Sequence, residues 1–141
     1  MDSSEPLRQK ATQILVRARR NLSFQLWWLK LRLFLRGYEL IDYSTSPYEI
    51  DWSKTDDSFL FEEEYTFVGT EYGDIPMTRR RTLGYHWQLS QGHGEYREHI
   101  KMTVNKDGEP QLTVLYSNLR FPANRDGWKS LVTYLKSKKY I

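Results

Sequence analysis

The chain has 141 residues, 39% hydrophobic, 28% charged and 15% aromatic, with no cysteine and a formal net charge of +3. This size and aromatic content fit one globular domain spanning 1–141 and argue against disorder throughout, while the missing thiols exclude disulfides, thiolate metal clusters and cysteine nucleophiles. The polar start MDSSEPLRQK lacks the order of a secretory signal, and no apolar run reaches the roughly 18 residues of a membrane-spanning helix, so a soluble, cytoplasmic protein is expected.

Leu7, Ala11, Ile14, Leu15, Ala18 and Leu22 recur at three- and four-residue steps and predict a first amphipathic helix. Ser4 is its expected cap, Glu5 suits the positive end of the helix dipole, and Pro6 falls in the first turn, where no amide hydrogen is needed. Lys10, Arg17 and Arg20 lie on the opposite face.

Residues 26–36, LWWLKLRLFLR, read less simply. On a helix, Lys30, Arg32 and Arg36 fall at about 40°, 240° and 280° around the axis, which makes no single polar face. On a strand, Leu29, Leu31, Leu33 and Leu35 point one way while Lys30, Arg32, Phe34 and Arg36 point the other. The spacing therefore predicts a strand with a basic face in preference to a continued helix. Gly37 then offers a turn, and YELIDY an extended segment.

The stretch DYSTSPYEIDWSKTDD, rich in turn formers and acids yet carrying Tyr43, Tyr48, Ile50 and Trp52, predicts a partly ordered lid or an edge hairpin turning at Ser44 to Pro47. FLFEEEYTFVG and TRRRTLGYHWQLS then flank the turn-forming TEYGDIP, so that Glu64 comes opposite Arg81 and the glutamate and arginine runs neutralise each other. A second hairpin joins YREHIKMTV to QLTVLYSNL through NKDGEP, whose Asp-Gly supplies a positive φ. Asp126 is the expected cap of a last helix with Trp128, Leu131, Val132 and Leu135 on one stripe. The order predicts an α+β fold, an antiparallel sheet of about five or six strands with an N-terminal and a C-terminal amphipathic helix.

No catalytic motif stands out. His86, His93 and His99 lie within fourteen residues, with Glu95 and Glu98 nearby, but their spacing matches no local zinc motif and they read as structural. GHG at 92–94 is too short to cradle a phosphate, no serine sits in a GxSxG elbow, and the acids Asp56, Asp57, Glu62, Glu63 and Glu64 are only a weak candidate for a carboxylate pair. No metal and no cofactor are expected.

Charge is strongly segregated along the chain. Residues 1–36 carry eight bases and two acids, 37–77 one base and eleven acids, and 78–141 twelve bases and five acids. With the surplus of aromatics, this predicts a small non-enzymatic binding or accessory protein that engages a protein partner through an exposed sheet face and the acidic-aromatic loop, with a second copy of the chain among its candidate partners. A nucleic-acid-binding protein using Lys30, Arg32, Arg36, Arg79, Arg81 and the basic helix faces is the alternative, Tyr85 and Trp87 being available to stack bases. A third reading is a ligand-binding protein or enzyme whose curved sheet forms a pocket lined by Tyr48, Trp52, Glu64 and Trp87, joined by His86 only if Gly84 breaks the strand alternation.

Overall fold

A computed structural model describes residues 5–42, 46–49, 64–70, 73–78, 82–92 and 95–141. Two helices open the chain, α1 (Glu5–Asn21) and α2 (Ser23–Leu35), and a third closes it, α3 (Arg125–Ser137). Between them lie β1 (Glu39–Asp42), β2 (Tyr48–Glu49), β3 (Glu64–Thr70), β4 (Gly73–Thr78), β5 (Leu83–Ser90), β6 (Tyr96–Val104), β7 (Pro110–Val114) and β8 (Leu119–Pro122). The main sheet is antiparallel in the order β1-β5-β6-β7-β8, with the two-residue β2 also paired to β5, while β3 and β4 form a separate two-stranded sheet. The fold is α+β, with helices at both ends of the chain.

Residues directly opposite in the ladder share a face. Leu40, Leu83, Tyr85, Trp87, Leu89, Ile100, Met102, Val104, Leu112 and Val114 therefore make one continuous apolar surface, all of it buried. Helix α1 covers it across β5, β6 and β7, inserting Ala11, Leu15 and Ala18, with Leu22 buried at the junction to α2. The Arg19 guanidinium lies 4.5 Å from the Tyr85 ring centre and 5.8 Å from that of Trp87. Helix α2 packs on β1 through Leu26, Leu29 and Leu33, and α3 packs on β8. Each fully buried leucine contributes about 1.5–3 kcal/mol.

Two polar anchors tie the helices to the sheet. Asp42 Oδ2 accepts from Lys30 Nζ at 2.7 Å and sits 3.7 Å from Arg19 Nη2, so one carboxylate at the end of β1 meets both α1 and α2. Glu98, buried on β6, accepts from the Tyr116 backbone N–H, the Ser117 hydroxyl and the Tyr134 hydroxyl, each at 3.0 Å. The Ser117 and Tyr134 hydroxyls also lie within hydrogen-bonding distance of each other, so their two protons are shared among both oxygens and Glu98, joining α3 to the β7–β8 turn. Burial, followed by the nearby Glu98 carboxylate, pushes the Tyr134 hydroxyl above the ordinary tyrosine range.

Several sequence expectations are corrected. Residues 26–36 are not a strand: α2 continues to Leu35, because its two apolar stripes serve two different surfaces and leave no purely polar side. The segment at 46–49 does not turn back as a hairpin, since β2 pairs with Leu83 and Gly84 on the same edge of β5 that β1 occupies further along. The partner of β3 is β4, which starts inside the expected turn and places Glu64 opposite Thr78 rather than Arg81, while β5 pairs elsewhere. Gly84 forms no bulge. Its ladder with Thr103 is regular, and an added Cβ would lie 2.3 Å from the Met102 carbonyl oxygen, so glycine allows close strand approach. The cap of α3 is Asn124, which accepts from the Gly127 N–H at 2.8 Å, with Asp126 within the first turn. The β6–β7 hairpin forms as expected around Gly108 at φ 79°.

Among the described glycines Gly127 has the closest neighbour: a Cβ there would lie 1.7 Å from the Pro122 carbonyl oxygen, between α3 and the end of β8. Gly127→Ala should therefore lower stability by roughly 1–3 kcal/mol or more in urea denaturation, against less than about 0.5 kcal/mol for the exposed Lys129→Ala. Equal midpoints for the two variants would show that α3 does not press on β8 in this way.

Candidate functional site

Helix α2 buries Leu26, Leu29 and Leu33, preceded by Leu22, along one line. On the outward side Phe24, Trp27, Leu31, Phe34 and Leu35 are 68%, 59%, 43%, 73% and 68% exposed. Taking roughly 200 Å² for a whole large side chain, these five present on the order of 600 Å² to solvent, the upper end of the largest apolar patch on a typical monomer. Steps of three and four residues separate Phe24, Trp27, Leu31 and Phe34, the spacing that places side chains on one helical face. The Phe24 and Trp27 ring centres are 5.8 Å apart.

Beside this stripe runs a groove of about 390 Å³ between α2 and α3. Phe24, Trp28, Trp128 and Val132 are among its apolar lining, while Lys129 and Lys136 stand exposed at its side. The Arg32 guanidinium lies 5.7 Å from the Trp28 ring centre, one turn along α2. From Pro6 to Tyr38 the sequence contains no acid and eight bases. The surface is thus apolar, aromatic and positively charged, and among the described residues lining the groove there is no carboxylate.

The expected binding residues separate in space. Lys30 and Arg32 were expected on one strand face, but two residues of helix place them roughly 160° apart, Lys30 in its ion pair with Asp42 and Arg32 over Trp28. Arg36 is exposed just past the last turn. Trp87 is buried beneath α1, whereas His86 points to the opposite face of the sheet, so with Gly84 in regular register the two cannot line one pocket. Tyr48 lies on β2 opposite Gly84. Trp52, Arg79, Arg81 and His93 lie outside the described residues. Phe34, expected on the outward face with the bases, is exposed, whereas Phe24, Trp27 and Leu31 were not expected as surface groups; the signal was present as a second three- and four-residue repeat interleaved with the first.

The other face of the main sheet holds a second constellation, polar yet enclosed. His86, Gln88, Ser90, His99, Lys101, Thr103 and Thr113 are all buried on it. Gln88 Nε2 is 3.0 Å from His99 Nδ1, and His99 Nε2 is 3.4 Å from His86 Nδ1. With the Gln88 amide donating, His99 carries its proton on Nε2, directed at His86. Burial pushes the His86 pKa down to about 3, helped by the positive charges that His99 and Lys101 can carry and opposed by a backbone hydrogen bond at Thr82. Among the described residues no group of three or more His, Asp or Glu side chains is placed to hold a metal ion, and Glu98 and Glu95 are engaged by Tyr134 and Arg97 respectively. The layer is an enclosed polar network that includes the buried Lys101, so along β5 and β6 this face of the main sheet is not the exposed surface expected to meet a partner. No described helix is long and apolar enough to cross a membrane.

Comparisons of the chain with protein-family models, with curated proteins and with solved structures give no match.

Because His86 is held neutral in the fold to about pH 3 while the unfolded chain takes up that proton near 6.5, its contribution is complete above about pH 6.5 and is lost as pH falls towards 3. The loss should not exceed about 1.4 kcal/mol per pH unit. Urea midpoints measured from pH 7 to 4 should fall less steeply for His86→Gln than for the parent chain; parallel slopes would mean that His86 titrates normally.

Proposed function

We propose that this chain is a non-enzymatic binding or accessory protein that acts through a protein–protein interface on the outward face of α2. The observation that carries this reading is the exposure of five large apolar side chains, two of them phenylalanines and one a tryptophan, along a helix whose inward face is already satisfied by the core. A soluble fold gains nothing by presenting such a stripe to water, whereas aromatic and arginine side chains are the groups that dominate binding energy at interfaces. The basic residues around the stripe add orientation and a fast encounter with a partner of opposite charge. Catalysis has no comparable support, since His86 and His99 are buried in an enclosed layer where they are bonded to each other and to Gln88.

The reading separates binding from folding. A Trp27→Gln, Phe34→Gln variant should melt within about 1 kcal/mol of the parent, because both side chains lie mostly in water, yet lose the partner that the parent chain retains on affinity purification from its native lysate. Undiminished capture by the folded variant would move the interface away from α2.

A further inference from the structure

We infer that the groove between α2 and α3 is a docking site for an acidic amphipathic helix of another protein. This rests on the protein-interface reading and names the partner's chemistry. Phe24 and Trp28 line the groove from α2, and the exposed Leu31 and Leu35 continue the same helical line at steps of three and four residues. Trp128 and Val132 supply the facing wall from α3. An inserted helix would present apolar side chains to this lining at the same spacing, the helix-in-groove mode of recognition.

Charge selects among the candidate occupants. Lys129 and Lys136 on α3 and Arg32 beside Trp28 surround the apolar lining, and the whole α1–α2 hairpin from Pro6 to Tyr38 lacks acids. A second copy docking through its own α2 would bring Arg32 and Arg36 against these same bases, and its α3 would bring Lys129 and Lys136. Such like-charge contacts oppose self-association. A bilayer surface has the right charge, but it is planar, and the aromatic lining lies in a concavity between two helices that discrete side chains can enter and a flat surface cannot fill. A partner helix with glutamates or aspartates flanking its apolar stripe satisfies both the shape and the charge.

The test is a tryptophan-fluorescence titration of the full chain with an amidated model helix bearing leucines at i, i+3, i+4 and i+7 repeats and glutamate and alanine elsewhere. A matched peptide with lysine for glutamate is the control. The acidic peptide should bind with Kd on the order of 100 µM or tighter at low salt, and Lys129→Glu with Lys136→Glu should weaken it at least about 10-fold. Because both lysines are exposed, this variant should keep the parent's melting transition. Equal binding of the two peptides, or no binding of either, overturns the inference. So does vesicle binding at about 30 mol% phosphatidylserine that is stronger than peptide binding and unaffected by the lysine reversals, or a micromolar dimer in sedimentation that Trp27→Gln, Phe34→Gln dissociates. If the acidic peptide fails while that α2 variant still loses its cellular partner, the interface reading stands and only the groove assignment falls; if capture persists but the peptide binds the groove, the reverse holds.

Discussion

Strand β5 is covered on both faces along its whole length from Leu83 to Ser90, and the surrounding structure follows from that double burial. Its odd-numbered residues, Leu83, Tyr85, Trp87 and Leu89, supply the floor on which α1 packs. Its even-numbered residues, His86, Gln88 and Ser90, belong to a layer in which every buried polar group requires a partner, since an unmet donor or acceptor there costs about 1–3 kcal/mol. The chain from Gln88 to His99 to His86 meets part of that demand on adjacent strands, holding the imidazoles in defined orientations. Gly84 completes the arrangement by letting β6 come closer than any side chain would permit.

Where the structure uses charge internally, it does so at the seams between layers. Asp42, from the acidic middle of the chain, faces Lys30 and Arg19 from the basic N-terminal third, so segregation in sequence becomes pairing in space at this point. At partial exposure that pairing is worth little as isolated Coulomb energy, and its effect is to tie α1 and α2 to the end of β1. Glu98 acts more strongly because it is enclosed: three donors converge on one carboxylate and fix α3 to the turn after β7. With these internal contacts made, the bases along α2 and α3 border an apolar surface that no described part of the chain covers.

Helix α1, the β6–β7 hairpin and α3 were legible because each carries one period and one boundary signal: a single apolar stripe, Asp-Gly at the turn, or a polar residue ahead of Trp128. Helix α2 was not. A wheel test assumes that one side of a helix is wet and polar, and α2 violates it by facing the core with Leu26, Leu29 and Leu33 and the exterior with Phe24, Trp27, Leu31 and Phe34. Leucine at every second position from 29 to 35 then imitates a strand although leucine favours helix. The feature that hid the helix from the sequence pattern is the same one that leaves its outer face apolar and exposed.

The amino-acid sequence by itself determined the α+β class, the terminal helices, the β6–β7 hairpin and the absence of thiol chemistry, because these depend on local periodicity, turn conformations and composition. Only the tertiary structure decided that β4 rather than β5 pairs with β3, that Gly84 leaves His86 and Trp87 on opposite faces, and that Lys30 is occupied by Asp42. Those outcomes depend on strand register and on which of two apolar stripes finds the core. Neither is encoded in spacing alone, since a one-residue slip reverses every side chain on a strand.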